Sequence, residues 1–450
     1  MSEMRDSIGL SDIRLYVPSP SIDLEEIVVR RAQEDPKLQR HFERAMRITG
    51  QKAIRFPESW QDTATMAAQA SYDLIRNNPA IDPQSLRHLA VGTESGLDHS
   101  KPVSAYVQGM LQRAGAGVPS SLSSFQSQHA CAGGTVALLG VAGLLSAAGR
   151  PGDSGLVITS DVARYQPRST AEITQGAGAV ALHVESSPRL LELDLPGVGY
   201  HSKDVDDFFR PLGSSVPKVN GGYSMRCYEE SFEAAFLDHC ARTGQEPDRA
   251  LWETDFFVLH TPFHAMPEMA MQKLMGHQLG LTPDHTREFL DARGFYSAIE
   301  PLARIGNMYN ASMYAALAFL LEDRLRVMGE AIVGKRILLA SYGAGNTMIV
   351  LSARIAEEAP EVIARWNLGR VFTNARAASF EEYEGWLEGS GEHASHAPVI
   401  DRSSLPAETF FLAGIRKDGY REYGKTDARE SWIHLPVASM DVREPVAAFG

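Results

Sequence analysis

The chain of 450 residues contains little cysteine. Its three cysteines are Cys131, Cys227 and Cys240, and no two of them form a Cys-x-x-Cys pair. So few thiols exclude a disulfide framework and offer no structural zinc site. The N-terminus (MSEMRDSIGL) also lacks the apolar stretch of a secretory signal. We therefore expect a cytoplasmic protein in a reducing compartment.

Positive charge is scarce as well. The chain has 43 Lys and Arg residues against 56 Asp and Glu residues, for a net charge of −13. No long basic run is present, and this composition excludes a typical nucleic-acid partner. An anionic substrate must then be attracted by a local basic patch, because the overall field repels it.

Long apolar segments are limited to one. Residues 131–149 (CAGGTVALLGVAGLLSAAG) contain no charge, and 19 residues are enough to span a bilayer. The segment has five Gly and five Ala, however, with no aromatic or cationic belt and no second span. We interpret it as a fully buried helix inside a soluble α/β core, and we expect no membrane partner.

Short β-rich runs alternate with helical patterns, and this alternation predicts an α/β fold. The predicted strands are 12–16, 86–91, 155–160, 179–184, 255–259, 336–341 and 348–352, and the predicted helices are 62–77, 131–148, 231–243, 267–279 and 313–326. Both halves of the chain show a similar order of elements, which suggests a duplicated fold. We divide the chain into residues 1–190, residues 191–425 and a tail at 426–450.

Cys131 is the first candidate for chemistry. It stands where a polar loop turns into the apolar helix, and a helix N-terminus lowers the pKa of a thiol and stabilises the thiolate. Gly133 and Gly134 allow a substrate to approach the backbone closely. The alternative is a buried structural cysteine, which is also the interpretation for Cys227 and Cys240.

Two titratable residues follow strands. Glu94 comes after LAVGT and is either a general base with a raised pKa or a solvated loop acid. His260 ends DFFVLH, where a side chain points into a crevice or serves the structure. His264 lies four residues later, but a proline intervenes and no carboxylate flanks the pair, so we reject a zinc site.

Three further segments have open interpretations. Asn307 precedes an apolar helix and is a hydrogen-bond donor or only a cap. The turn Ser341–Gly345 (SYGAG) offers backbone N–H groups to an oxyanion or is a plain hairpin turn. Thr174 and Gly176 lie in TQGAGAVA, where glycine can simply permit tight backbone packing.

Ten strings together resemble the hydroxymethylglutaryl-CoA synthases, a branch of the thiolase superfamily. They occur in the order typical of the family and are GTESGLD, ACAGG, SDVARY, TQGAGAVA, DFFRPLG, LHTPFHAM, IGNMYNASMY, SYGAG, SFEEYE and FFLAGIRKDGYREY, between residues 92 and 423. The resemblance implies a thiolase-like duplicated α-β-α-β-α five-layer fold and a homodimer. It also implies that no metal or redox cofactor takes part.

The resemblance assigns roles to individual residues. Cys131 matches the acetylated nucleophile, Glu94 the general acid/base, His260 the residue that orients the second thioester, and Asn307 a supporting donor. The oxyanion and substrate contacts match Ser341, Tyr342, Gly343, Ala344, Thr174 and Gly176. The acyl carrier, CoA or an acyl carrier protein, is expected to meet Phe263 and a basic rim of Lys203, Arg210, Lys218 and Arg226. The implied reaction adds an acetyl unit from Cys131 to a 3-oxoacyl thioester and then hydrolyses the product.

The chain departs from the family pattern beside the nucleophile. Ala132 replaces an aromatic residue and Ala344 replaces a serine, and we expect both changes to enlarge the pocket. Ala-Cys-Ala-Gly is also similar to the ketoacyl-ACP synthase III branch, so a Claisen-type condensing enzyme or acyltransferase is the alternative. A non-catalytic binding protein of thiolase fold is a second alternative.

Overall fold

The computed structural model describes residues 7–214, 216–389, 400 and 402–426. Within them the strands are β1 (Ile8–Tyr16), β2 (Pro20–Asp23), β3 (Ala53–Arg55), β4 (Leu86–Gly92), β5 (Ser123–Ser127), β6 (Ser154–Ala163), β7 (Gly176–Ser186), β8 (Leu191–Leu193), β9 (Gly199–Ser202), β10 (Phe208–Phe209), β11 (Lys218–Val219), β12 (Phe256–Leu259), β13 (Arg336–Gly343), β14 (Thr347–Ile355), β15 (Arg376–Ala377), β16 (Phe410–Ile415) and β17 (Arg421–Lys425). The α-helices are α1 (Leu24–Glu34), α2 (Pro36–Thr49), α3 (Thr63–Asn77), α4 (Val103–Arg113), α5 (Gly133–Ala148), α6 (Gly221–Thr243), α7 (Pro247–Glu253), α8 (Met266–Leu279), α9 (Pro283–Asp291), α10 (Phe295–Ile299), α11 (Ser312–Met328), α12 (Ala359–Ile363), α13 (Arg370–Thr373) and α14 (Phe380–Gly389).

One mixed sheet connects the two halves of the chain. Its strand order is β12-β13-β14-β8-β1-β7-β6-β4-β5, and β9 pairs with β14 beside this path. In the first half, β1/β7 and β7/β6 are antiparallel, whereas β6/β4 is parallel. In the second half, β8/β14 and β14/β13 are antiparallel and β13/β12 is parallel. The repeated pattern confirms the predicted duplication at the level of topology.

Alternating residues of the first-half strands face different helices. Val157 of β6 belongs to the core that contains α5, while its neighbours Leu156 and Ile158 belong to the core that contains α3. This period of two buries both faces of the sheet. In the second half, α6 packs on β9 and β14, and α11 packs on β12.

The seven predicted strands and five predicted helices are all present. The largest shift in a boundary is at α6, which begins at Gly221 rather than at the predicted residue 231. Two glycines in its first turn conceal the start, because glycine disfavours helix. The Asn220 side chain caps this turn by accepting a hydrogen bond from the Tyr223 N–H.

The apolar helix α5 is only partly buried, so the expectation of a fully buried helix was wrong. Residues 130–148 are long and apolar enough to cross a membrane by length and composition, and half of this segment is buried in the fold. Val136 and Leu144 are 40% and 43% exposed. Helix α5 packs beside β5, the last strand of the sheet.

The C-terminal part of the described chain packs back onto the first half. Phe410 and Tyr423 of the β16–β17 hairpin share a core with α3, as do Phe380 and Tyr383 of α14. Residues that sequence order places in the second half therefore support the first. The predicted tail at 426–450 lies, apart from Thr426, outside the described residues.

Candidate active site

Cys131 and Glu94 are in direct contact. The Cys131 thiol lies 3.0 Å from Oε1 of Glu94 and donates a hydrogen bond to it. Two local features bring them together. Glu94 follows the end of β4, and Gly92 of this strand lies so close to Gly134 in the first turn of α5 that a Cβ would overlap the Gly134 backbone.

Burial dominates the electrostatics of this pair. It raises the pKa of Glu94 to about 8, with a further contribution from the negative charge of Asp161. Burial also raises the pKa of Cys131 well above its ordinary value, and the Glu94 carboxylate adds to the effect. The predicted low thiol pKa was therefore wrong. Desolvation and nearby carboxylates outweigh the helix dipole, and the resting sulfur is a neutral thiol.

Asp161 of β6 holds the Glu94 loop in place. Its Oδ1 accepts hydrogen bonds from the Thr93 hydroxyl at 2.8 Å, the Glu94 N–H at 2.9 Å and the Ser95 N–H at 3.0 Å. Its Oδ2 accepts two from Asn310, from the backbone at 3.1 Å and from the side-chain amide at 2.8 Å. One buried carboxylate thus connects the Glu94 loop to the second half of the chain.

Asn310 extends this network to the nucleophile. Its Oδ1 accepts a hydrogen bond from the Gly134 N–H at 2.7 Å, three residues after Cys131. Sequence reasoning missed both Asp161 and Asn310. The signal for Asp161 was present, because an acid within the buried strand SGLVITSDVA requires partners.

His260 lies directly after β12 and is 2% exposed. The His260 backbone is fixed at both of its polar groups. Its backbone N–H donates a hydrogen bond to the Ala340 carbonyl at 2.8 Å, and its backbone carbonyl accepts one from the Tyr228 hydroxyl at 2.8 Å. Burial lowers the pKa of His260 to about 3, so its imidazole is neutral and offers one N–H donor. His264 instead contacts Glu300 at 3.0 Å, away from this site.

The Asn307 side chain has a fixed orientation. Its Oδ1 accepts hydrogen bonds from the Tyr309 N–H at 2.8 Å and the Ser312 hydroxyl at 3.2 Å. The amide nitrogen is therefore turned the other way, where it lies 3.4 Å from the Tyr165 hydroxyl. Gly176 permits this arrangement, because a Cβ there would lie 2.6 Å from the Asn307 carbonyl oxygen.

In the loop Ser341–Gly345, some residues hydrogen-bond to neighbouring elements and others line the cavity. Ser341 accepts a hydrogen bond from the Thr135 hydroxyl at 2.8 Å, and Tyr342 donates one to Asp207 at 2.7 Å. The Gly343 Cα packs against the backbone around Cys131, where a Cβ would overlap the His129 carbonyl. The loop is a hairpin turn between β13 and β14, and it also borders the nucleophile.

A cavity of about 670 Å³ opens above these residues. Seven of the predicted site residues are part of its wall, namely Cys131, Thr174, His260, Phe263, Asn307, Tyr342 and Ala344. Tyr165, Phe208 and Tyr309 line it as well and were not predicted. Four other predicted site residues do not line the cavity but contact residues of its wall or support them from behind, namely Glu94, Gly176, Ser341 and Gly343. Among the described residues, no cluster of three or more His, Cys, Asp or Glu side chains can hold a metal ion.

The basic residues at the cavity differ from those predicted. The cavity wall contains none of Lys203, Arg210, Lys218 and Arg226. Lys218 belongs to the β10–β11 hairpin, whose Phe208 and Val219 do line the cavity, and Arg210 directly follows β10. The Arg210 charge also acts on Glu94, whose pKa it lowers. Helix α2 supplies His41 and Arg44 instead. Its Lys37, Arg40, Arg44 and Arg47 are all exposed, and none forms an ion pair within the described part of the chain. We call Lys37, Arg40, His41, Arg44 and Arg47 the α2 basic face.

The two departures beside the nucleophile have unequal effects. Ala344 lines the cavity, so the small side chain leaves space there. Ala132 is fully buried, does not line the cavity, and points toward the Cα of Gly343. Ala132 itself therefore does not border the cavity, because its side chain faces the hairpin loop, and the expected enlargement of the pocket at this position stays a prediction.

Comparison with known proteins agrees with this geometry. The family described as hydroxymethylglutaryl-coenzyme A synthase N terminal matches residues 4–188, and the C-terminal family matches residues 284–426. The chain is 28% identical to a hydroxymethylglutaryl-CoA synthase of Haloferax volcanii, over 93% of this chain and 99% of that protein.

Solved structures give the same result. A structure of MvaS in complex with 3-hydroxy-3-methylglutaryl coenzyme A is 32% identical, with a TM-score of 0.81 over 94% of this chain and 100% of that one. A curacin-pathway HMG synthase in complex with holo donor-ACP shares the fold, with a TM-score of 0.80, 23% identity, and coverage of 93% of this chain and 99% of that one. The chain therefore belongs to the hydroxymethylglutaryl-CoA synthase family and is a hydroxymethylglutaryl synthase with the thiolase-like α/β fold.

Proposed function

We propose that Cys131 carries the acetyl unit and that Glu94 moves the protons of both chemical steps. The observation that carries this proposal is the 3.0 Å contact between the Cys131 thiol and the Glu94 carboxyl at the floor of the cavity. Sulfur attacks the acetyl thioester carbonyl while its proton passes to ionised Glu94, and Glu94 then gives this proton to the carrier thiolate as it leaves. The products are acetyl-S-Cys131 and the free carrier thiol.

The carbon–carbon bond forms in the second step. Ionised Glu94 removes a proton from the acetyl methyl group, and the enolate adds to the ketone carbon of a 3-oxoacyl thioester. Protonated Glu94 then returns the proton to the new alkoxide. The neutral His260 imidazole and the Asn307 amide donate hydrogen bonds to the acceptor oxygens. Water finally hydrolyses the product from Cys131.

This assignment also separates the alternatives. A ketoacyl-synthase-III-like enzyme has no use for Glu94, yet the Glu94 carboxyl is buried and bonded to the nucleophile, and Asp161 holds the Glu94 backbone N–H. A non-catalytic binding protein has no use for either group. The test is incubation with acetyl-CoA and acetoacetyl-CoA, followed by chromatography of the products. A hydroxymethylglutaryl thioester supports the proposal, and acetylated protein that yields only a Claisen product or no condensation product overturns it.

The acyl carrier is CoA or an acyl carrier protein, and both present a phosphate-bearing arm to the cavity mouth. The α2 basic face supports this proposal, because its cations lie beside the mouth of a protein with a net charge of −13. We expect Arg44→Glu to slow acetylation by the natural carrier about tenfold or more, since like charges then meet. The rate with acetyl-N-acetylcysteamine, which has no phosphate, stays unchanged.

The comparison of carriers uses an exposed control. Lys417→Glu makes the same charge change at an exposed position outside the cavity wall and leaves the rates as in the wild type. Acetyl-CoA and an acetylated carrier protein are offered in parallel, and the faster donor identifies the carrier. Equal rates for wild type and Arg44→Glu with both donors contradict a role for α2.

We further propose a homodimer that forms through β5 and α5. Strand β5 ends the sheet and presents an open edge, and Val136 and Leu144 on the nearby helix are exposed apolar residues. Leu144→Glu should convert a dimer into a monomer in sedimentation analysis. Val327→Glu, at an exposed apolar residue of α11, should leave the dimer intact. A wild-type protein that sediments as a monomer contradicts this interface.

A further inference from the structure

A buried charged cluster lies behind one wall of the cavity, outside the groups used in the chemistry. The Arg31 guanidinium of α1 is fully buried and lies 2.7 Å from the carboxylate of the equally buried Glu172. Arg31 also contacts Glu34 and Glu384, each at 2.7 Å. A buried ion pair adds little net stability, because desolvation offsets the attraction. Its benefit must therefore be sought in the geometry that it fixes.

The cluster reaches the cavity through two hydrogen-bonded side chains. The Tyr383 hydroxyl of α14 donates to Glu172 at 3.0 Å and accepts from the Gln175 amide at 2.6 Å. The side-chain oxygen of Gln175, Oε1, in turn accepts a hydrogen bond from the backbone N–H of Tyr165 at 2.7 Å. These bonds tie both ends of the segment 165–175, whose Tyr165, Ser169, Thr170, Ala171 and Thr174 line the cavity.

The same segment holds the backbone of Asn307. The Asn307 N–H donates to the Thr174 carbonyl at 3.1 Å. Gly306 has a φ of +94° and lies so close to Gln175 that a Cβ would overlap its carbonyl. The Asn307 amide lies 3.4 Å from the Tyr165 hydroxyl. A shift of residues 172–175 must therefore move the Asn307 and Tyr165 side chains together.

We propose that Tyr383, with Gln175 and Glu172, is a positioning residue for the acceptor side of the site. This inference rests on the proposed roles of Cys131 and Asn307. It assigns the SFEEYE segment a role in condensation, although α14 has no residue in the cavity wall. Tyr165 also packs beside Cys131. The hydrogen bonds that hold the Glu94 loop and the start of α5 nevertheless come from Asp161 and Asn310, so we expect the larger effect on the acceptor.

The test is Tyr383→Phe, which removes the hydroxyl and keeps the ring packed against Phe56 and Trp386. We expect acetylation of Cys131 by the acyl donor to stay within about twofold of wild type. We expect kcat/KM for the acetoacetyl acceptor to fall about tenfold to a hundredfold, since a small displacement of positioned groups has effects of this size.

Tyr72→Phe is the matched control. Tyr72 is 4% exposed and does not line the cavity, and its hydroxyl donates to Glu408 at 3.1 Å and accepts from Arg76 at 3.0 Å. This variant loses two partly buried hydrogen bonds of a tyrosine hydroxyl, so its melting temperature should fall while both rates stay unchanged. Tyr383→Phe with unchanged acceptor kinetics, or with acetylation and condensation lowered equally, overturns the inference.

The remaining outcomes separate a failure of the positioning role from a failure of the proposed function. If Tyr383→Phe does not fold, Gln175→Met is used instead, because it removes the hydrogen bonds to Tyr383 and Tyr165. We expect it to lower kcat/KM for the acceptor without slowing acetylation. A Gln175→Met variant with unchanged acceptor kcat/KM refutes the positioning role. If wild-type protein is never acetylated at Cys131, the proposed function fails first. Acetylated wild type that condenses normally, beside a Tyr383→Phe variant that does the same, refutes only the positioning role.

Discussion

Replacing Glu94 by glutamine should make the protein more stable at alkaline pH while removing its condensation activity. The pKa of Glu94 is raised from 4.5 to about 8, mainly by burial. Between these values the unfolded chain has lost the Glu94 proton and the folded chain keeps it. The unfolded state then binds fewer protons, so the free energy of unfolding decreases as pH rises through this window.

The magnitude follows from the shift. Each pH unit inside the window is equivalent to about 1.4 kcal/mol, so Glu94 lowers the free energy of unfolding by about 5 kcal/mol at pH 8 relative to pH 4.5. Glutamine does not titrate and still offers an oxygen to the Cys131 thiol. Glu94→Gln should therefore match the wild type near pH 5 and exceed it by about 3 to 5 kcal/mol at pH 8.

Urea denaturation followed by circular dichroism at pH 5, 6.5 and 8 measures this difference. Glu26→Gln, an exposed change of the same kind on α1, is the control and should be indistinguishable from the wild type. The reasoning is refuted if Glu94→Gln is no more stable than the wild type at pH 8. A stability difference that does not grow with pH refutes it as well.

Three other predictions concern the rates. Condensation should rise with pH through about 8, because only ionised Glu94 removes the methyl proton, and a flat profile of product formation between pH 7 and 9 contradicts this. His260→Ala should lower kcat/KM for the acceptor about a hundredfold in steady-state assays and leave acetylation unchanged; slowed acetylation is the contrary result. Asn310→Ala should slow acetylation and condensation together, about tenfold or more, because it removes hydrogen bonds to both Asp161 and the Gly134 N–H at the start of α5. Single-turnover assays measure the two steps separately. A loss that is confined to one step contradicts this prediction.

The seven strands that sequence patterns predicted belong to the central sheet and are mostly buried, whereas the ten that they missed are each six residues or shorter. Strands β6 and β7, for example, are buried along nearly their whole length. Helix α6 shows where local pattern fails, since its first turn contains two glycines and depends on the Asn220 cap and on packing. The partial exposure of α5 was missed for a similar reason, because amino-acid composition does not show which elements pack against an apolar helix.

The site was predictable only in part. Cys131 and His260 stand at ends of elements, where local patterns suggest function, but their contact partners are set by long-range packing. Asp161 meets Asn310 across 149 positions of sequence, and Glu172 meets Tyr383 across 211. The helix-dipole argument also gave the wrong direction for the Cys131 pKa, because burial and surrounding carboxylates appear only in the folded chain.

The most direct test of the account is the fate of the acetyl group in the Glu94→Gln variant. Wild type and variant are incubated with acetyl donor and acetoacetyl thioester, and the tryptic peptide that contains Cys131 is weighed beside the released products. The account predicts that the variant accumulates acetyl-Cys131 and releases no hydroxymethylglutaryl product, whereas the wild type turns over. An acetyl group on another residue, or a variant that condenses at the wild-type rate, contradicts it.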